Sequence, residues 1–98
     1  MTAECERYRD QLRAILPELT ARFGVAELSL FGSRIRGDHR PDSDLDVLVT
    51  FDTTPTLFDL VELRDVLVEK LDVNIDLALK DSLKPILRPY ILHEAQLV

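Results

Sequence analysis

Three short apolar segments alternate along the chain with segments whose apolar residues recur at helical spacing. Strands are predicted over residues 25–31, 45–51 and 73–79. Helices are predicted over residues 3–23 and about 56–70, with a short one from Ser33 and a last one from Asp81 or Ser82. The order α-β-α-β-α-β-α predicts an α/β or α+β fold, a small mixed sheet of three to four strands flanked by helices. The connections are long enough for parallel or antiparallel pairing, so the sheet topology stays open.

Prolines and one glycine set the expected ends of the outer helices. Pro17 lies inside the first helical pattern, which predicts either a kink or a division into two short helices. Gly24 follows that pattern and is expected to end it. Pro85 is expected in the first turn of the last helix, and Pro89 is expected to bend or shorten that helix.

Length and charge limit the classes of partner. With 98 residues, the chain is expected to form one domain over residues 1–98. Its net charge of −6 argues against binding nucleic acid by phosphate neutralisation and against an anionic membrane surface. The single cysteine, Cys5, excludes an internal disulfide and a cysteine-rich zinc site. With no signal peptide and no membrane-spanning apolar run, a cytoplasmic protein is expected.

The turn after the first strand contains Gly32 and Ser33 and leads into the predicted short helix. Backbone N–H groups at a helix start suit a phosphate group. Gly32 would let a ligand approach the backbone closely, and the Ser33 hydroxyl can donate to a phosphate oxygen. For the Gly-Ser pair alone, a tight turn with solvated arginines is the favoured alternative.

Three aspartates on predicted strands suggest a cation site. Asp44 and Asp46 are two residues apart, which predicts that their carboxylates project from the same face. Asp76 has the opposite parity to the apolar residues of its strand and would join them if the two strands are neighbours. Carboxylate oxygens are ligands that Mg²⁺ prefers. The alternatives are two solvated aspartates that each pair with an arginine, and an edge strand on which Asp76 faces water.

The spacing of these motifs resembles a known family. Gly32-Ser33, ten residues and then Asp44-x-Asp46 match the signature of the DNA polymerase beta-like nucleotidyltransferase superfamily. The fuller pattern Gly-Ser-x-x-Arg-Gly…Ser-Asp-Leu-Asp and the terminal segment 87–95 resemble its minimal nucleotidyltransferase branch. This resemblance covers nearly the whole chain and implies a nucleotidyltransferase fold.

The resemblance also implies roles for individual residues. Two Mg²⁺ ions would be bound by the carboxylates of Asp44, Asp46 and Asp76. These three aspartates would also be the catalytic residues. Gly32 and Ser33 would hold the triphosphate of the substrate ATP. Arg36 is a further candidate for triphosphate contact, and a salt bridge from Arg36 to Asp42 or Asp44 is an equally weighted alternative.

Members of this branch typically occur beside a HEPN-domain ribonuclease toxin, for which they act as antitoxins. The resemblance therefore implies a hetero-oligomer with such a toxin, and transfer of AMP from ATP to a tyrosine of the toxin. Two other functions stay open at this point. One is an antitoxin that neutralises its partner by binding alone, and the other is a small-molecule nucleotidyltransferase of the aminoglycoside-modifying type.

Overall fold

A computed structural model describes all 98 residues and contains four helices, four strands and one 3-10 turn. The elements are α1 (Ala3–Phe23), β1 (Val25–Phe31), α2 (Ser33–Arg36), β2 (Leu45–Phe51), α3 (Leu57–Leu71), β3 (Ile75–Leu79), the 3-10 turn (Lys80–Ser82), α4 (Arg88–Glu94) and β4 (Gln96–Leu97). The strands form one sheet in the order β3-β2-β1-β4. β1 is antiparallel to β2 and β4, whereas β2 and β3 are parallel. The expected mixed sheet flanked by helices is confirmed, and its topology is now defined.

The main core lies between α1, α3 and one face of the sheet. The helices contribute Leu12, Leu19, Leu63 and Leu67, and the central strands contribute fully buried residues that include Leu45, Val47 and Val49. This alternation of buried residues follows from the two-residue period of a strand. It places Asp46 on the opposite face of the sheet, away from the main core.

Helix α1 is continuous through Pro17, so the expected division into two short helices is wrong. Leu12 and Leu19 are buried on either side of the proline. Their packing against the core holds both halves in one helix, although proline removes a backbone hydrogen bond. The expected end at Gly24 is confirmed, because this residue adopts a left-handed conformation with φ of 74° and its N–H donates to Thr20 O.

The end of the chain differs from expectation. Asp81 and Ser82 belong to the 3-10 turn, and α4 begins only at Arg88. Pro85 therefore lies before the helix rather than in its first turn. Pro89 stands in the first turn of α4, where the absent N–H needs no partner, and so it helps to begin the helix instead of bending it.

Strand β4 was not expected from the sequence because two residues carry no periodic pattern. It pairs with β1 through Ser29–Leu97 and Leu30–Gln96. The N–H of Val98 donates to Leu28 O at 2.9 Å and extends this pairing. The last residues thus lie along the outer edge of β1. None of the helices is both long enough and apolar enough to cross a bilayer.

Candidate active site

Asp46 and Asp76 are directly opposite each other in the parallel register of β2 and β3. Each follows a buried apolar residue, so both carboxylates project from the face opposite the core. Asp46 is half-buried, whereas Asp76 is exposed because β3 is the edge strand. The alternative in which Asp76 faces water on an edge strand is therefore correct as a description of its exposure. The register nevertheless places it beside Asp46.

The environment of Asp46 disfavours its charged form. Burial, and then the negative charge of Asp76, raises the pKa of Asp46 from 3.8 to about 6. A hydrogen bond with Asp76 and the charge of Asp44 act in the same direction, while Arg36 opposes them. Two close carboxylates with so little cationic compensation repel each other near neutral pH. A bound cation would remove this repulsion.

Asp44 is the third predicted site residue, and it lies just before β2 rather than in the register pair with Asp76. It is exposed and precedes β2, which begins at Leu45, so it is not a strand residue as expected. No group of three His, Cys, Asp or Glu side chains in the chain is spaced to hold a metal ion. The structure thus pairs two of the three carboxylates without assembling the whole expected set. The oxygen donors and unbalanced charge of this pair still fit Mg²⁺, which would be held by Asp46 and Asp76 with Asp44 nearby.

Gly32 packs directly against Asp46. Its φ of 85° favours glycine, and a Cβ atom at this position would lie only 1.9 Å from Asp46 Oδ2. The backbone N–H of Gly32 donates to Glu94 Oε1 at 2.8 Å. The Asp46 carboxylate already occupies the space that a side chain at position 32 would need. Glycine is therefore required here because of Asp46.

Ser33 and Arg36 form the first and last residues of the four-residue helix α2. Arg36 is exposed; its Nε donates to Asp38 at 3.2 Å and its Nη1 donates to both Glu94 carboxylate oxygens at 3.0 Å. The alternative expected from the sequence was a salt bridge from Arg36 to Asp42 or Asp44. Arg36 does form salt bridges, but with Asp38 and Glu94 instead. Hydrogen bonds to Glu94 and Asp38 raise the pKa of the Arg36 guanidinium above its usual value.

Arg34 is the buried charged residue of this segment, and sequence reasoning did not single it out. Its Nε and Nη2 donate to Ser43 O at 3.0 and 2.8 Å, and its Nη1 pairs with the Glu4 carboxylate. These bonds tie α2 to the start of α1 and to the residue before Asp44. Nothing in the local sequence separates Arg34 from Arg36, so the pattern held no signal for this role. Glu94 was not singled out either, although it lies in the terminal segment 87–95 that carries part of the resemblance.

The chain matches a known protein family. The family described as the nucleotidyltransferase domain matches residues 12–98. The chain belongs to this family and is a nucleotidyltransferase. Protein adenylyltransferase MntA from Thermococcus cleftensis is 40% identical over 89 residues, which cover 91% of this chain and 90% of the relative.

Solved structures agree on the fold of this nucleotidyltransferase. One assigned as a minimal nucleotidyltransferase has a TM-score of 0.76 and 41% identity, and the match covers 93% of this chain and 92% of the other. A more distant similarity is to a chain in a complex of tri-AMPylated HEPN toxin with MNT antitoxin from Shewanella oneidensis. That match has a TM-score of 0.68 and 20% identity and covers 94% and 69% of the two chains. At this identity, the likeness shows the shared fold.

Proposed function

We propose that this nucleotidyltransferase is an antitoxin that transfers AMP from ATP to a tyrosine of a HEPN ribonuclease toxin. The pairing of Asp46 with Asp76 beside Gly32 carries the proposal, because it joins a candidate cation site to the candidate triphosphate site. The Thermococcus relative, similar over nearly its whole length, is a protein adenylyltransferase. The Shewanella complex holds an AMPylated HEPN toxin with its antitoxin. These two relatives favour a protein acceptor over a small molecule.

The proposed reaction is an in-line displacement at the α-phosphorus of ATP. A tyrosine oxygen of the toxin forms a new bond to this phosphorus while the bond to the bridging oxygen of the β-phosphate breaks. Pyrophosphate leaves with that electron pair, and the hydroxyl proton passes to Asp76. When bound at Asp46 and Asp76, Mg²⁺ would supply charge neutralisation for the triphosphate and polarise the phosphate.

The positions of the two paired aspartates suit different tasks. A tyrosine hydroxyl has a reference pKa of about 10 and needs a base for attack near neutral pH. Asp76 is exposed on the edge strand, where a side chain from another protein can reach it. Asp46 lies half-buried against Gly32, which suits it to hold the nucleotide side of the reaction. Ser33 and Arg36 would bind the triphosphate oxygens beside it.

Transfer of AMP would inactivate a ribonuclease by charge. The modified tyrosine gains a bulky phosphodiester anion. If this tyrosine lies near the ribonuclease site, the new anion repels the RNA backbone that the site must hold. The modification would persist after the antitoxin dissociates, in contrast to neutralisation by continuous binding.

The test is incubation of the purified protein with the HEPN toxin encoded beside it, ATP and Mg²⁺. Mass spectrometry of the toxin should show AMP on a tyrosine peptide. Asp44→Ala combined with Asp46→Ala should abolish the modification and the protection of cells from the toxin. Glu69→Ala, an exposed position on α3, is the matched control and should behave as wild type.

Two outcomes would replace the proposal. If the double aspartate variant protects cells as well as wild type, the antitoxin neutralises the toxin by binding alone. If radiolabel from α-labelled ATP appears on an aminoglycoside but never on the toxin, the acceptor is a small molecule.

A further inference from the structure

One carboxylate joins the C-terminal helix to two parts of the candidate triphosphate site. Glu94 accepts the Gly32 N–H at 2.8 Å through Oε1, and both of its oxygens accept Arg36 Nη1 at 3.0 Å. The Glu94 side chain is 24% exposed; its bond with the Gly32 N–H is partly buried, whereas its bonds with Arg36 lie at the surface. The resemblance implies nucleotide contact for Gly32 and Arg36, whereas Glu94 lies in the terminal segment 87–95 and is given no role by it.

The sheet fixes Glu94 at this place. β4 is antiparallel to β1, with Leu30 opposite Gln96. Continuing this register by two residues puts Glu94 opposite Gly32, immediately beyond the end of β1. Glu94 is also the last residue of α4, so a helix end and a strand pairing both restrict its backbone. The contact is therefore part of the fold and not a chance meeting of two flexible side chains.

We propose that Glu94 is a positioning residue of the nucleotide site, which acts through Arg36. Asp38 holds the Nε of this arginine and Glu94 holds its Nη1, which leaves Nη2 as the nitrogen to donate to a phosphate oxygen. The inference rests on the proposed function, because it takes Arg36 as a ligand of the triphosphate of ATP.

The physical reason is preorganisation. An unrestrained arginine side chain loses considerable rotamer freedom when it binds a ligand. Two carboxylates that already hold the guanidinium in one orientation remove much of that loss before the nucleotide arrives. The bond to the Gly32 N–H also steadies the turn whose glycine packs against Asp46. Glu94 would thus set the position of the triphosphate relative to the carboxylate pair.

Electrostatic repulsion of the nucleotide by Glu94 and Asp38 would have the opposite effect on ATP binding. The carboxylates of Glu94 and Asp38 place two negative charges around one arginine, and both repel an anionic ligand. If repulsion were the larger effect, Glu94 would act as an internal competitor of the triphosphate. Removing its charge would then tighten ATP binding, whereas the positioning role requires that binding weakens.

The experiment measures the Kd of ATP in the presence of Mg²⁺ for Glu94→Gln. Glutamine keeps an acceptor for the Gly32 N–H but loses the charge-assisted contact with Arg36. We expect the Kd to rise about tenfold, the effect of one charged hydrogen bond, with kcat much less affected than KM. Glu69→Gln removes the same charge at a remote exposed position and should leave the Kd unchanged.

A double-variant cycle separates positioning from a purely structural role. In an Arg36→Gln background, Glu94→Gln should change the Kd by less than about threefold, because the residue through which it acts is absent. The ¹⁵N NMR signals of the Arg36 guanidinium provide a readout without nucleotide. In wild type they should show hindered rotation, which Glu94→Gln releases.

Two results would overturn the inference: an unchanged or lower Kd in Glu94→Gln, whatever its melting temperature, or an equal rise in Kd with and without Arg36. Failure of the proposed function would look different, because wild type itself would then bind no ATP or transfer no AMP. If wild type binds ATP but Glu94→Gln matches it, the inference alone fails.

Discussion

The two faces of β2 use the same backbone for opposite purposes. Leu45, Val47 and Val49 point to the helices and are fully buried. Asp46, between the first two, points to the other face and has its pKa raised to about 6, with burial as the largest cause. The apolar face gains free energy of folding from each side chain it removes from water. Burial of the Asp46 carboxylate costs free energy of folding. Such a cost is typical of a position kept for function rather than for stability.

The same contrast separates two arginines of the short helix α2. Arg34 points to the core side and is 5% exposed, with its guanidinium shared between Glu4 and the Ser43 carbonyl. Arg36 is exposed and is held by carboxylates of Asp38 and Glu94. Two residues of spacing therefore separate a buried arginine that connects α2 to α1 from an exposed one for which we propose contact with the nucleotide.

The largest change in stability is expected on the helical side of the sheet. Leu63 of α3 is fully buried, so Leu63→Ala should lower the free energy of unfolding by about 2–5 kcal/mol. Leu57→Ala on the same helix is the matched control, because Leu57 is 76% exposed and its loss should cost less than about 0.5 kcal/mol. Urea unfolding measures both. Equal losses would contradict the burial of Leu63 against the apolar face of the sheet.

The next largest effect should distinguish the two arginines. Arg34→Ala removes one partner of a buried ion pair and leaves carbonyl groups without donors, so a loss of about 3 kcal/mol is expected. Arg36→Ala should lower stability much less, because its ion pairs are exposed to solvent, and should weaken ATP binding instead. Thermal melts and ATP titration of both variants test this. A reversed order would show that Arg36 is the structural residue.

Asp46→Asn should raise stability while it abolishes transfer. The native pKa of about 6 exceeds the ordinary 3.8, so the native state binds this proton more tightly than the unfolded state. The stability from that proton is complete below about pH 4 and is lost as the pH rises through 6. After allowance for solvent screening, the variant should gain about 1 kcal/mol above pH 6.5 and little at pH 4. Melts in EDTA across this range provide the measurement.

Added Mg²⁺ should change the stability of wild type and of Asp46→Asn by different amounts. It should stabilise wild type near neutral pH by binding the carboxylate pair, and it should stabilise Asp46→Asn much less. If the variant were less stable than wild type at pH 8 in EDTA, the two carboxylates would not be repelling each other.

The smallest change in stability is expected at Tyr90 on α4. Its residue surface is 74% exposed, so Tyr90→Glu should alter the free energy of unfolding by less than about 0.5 kcal/mol. The exposed residues Ile86 and Leu87 lie just before it in the chain. If the proposed HEPN partner covers this segment, Tyr90→Glu should weaken the complex in a pull-down or calorimetric titration while the melting temperature stays constant. A large drop in melting temperature would instead show that Tyr90 belongs to the core.

Much of the fold could be predicted because its signals are local. The alternation in β2 and the helical period of α3 are readable within a few residues, and their observed bounds agree closely with the predicted ones. The predictions were wrong where long-range packing overrides local preference. Pro17 stays inside a continuous helix because flanking leucines are buried. Asp81 and Ser82 form a 3-10 turn instead of starting a helix, and α4 begins only at Arg88.

Local patterns in the chain were enough to identify the candidate ligands: Gly32 and Ser33 at the end of one strand, Asp44 and Asp46 at the start of the next, and Asp76 on a third. Only the tertiary structure decided that β2 and β3 are parallel neighbours, which places Asp46 opposite Asp76 and leaves Asp44 outside the strand. It alone also decided that Glu94 reaches Gly32 and Arg36, which are 62 and 58 residues away. The reason is physical. Periodicity records which face of an element is apolar, whereas contacts between distant side chains depend on how whole elements pack, and a single glutamate or arginine carries no local mark of its partner.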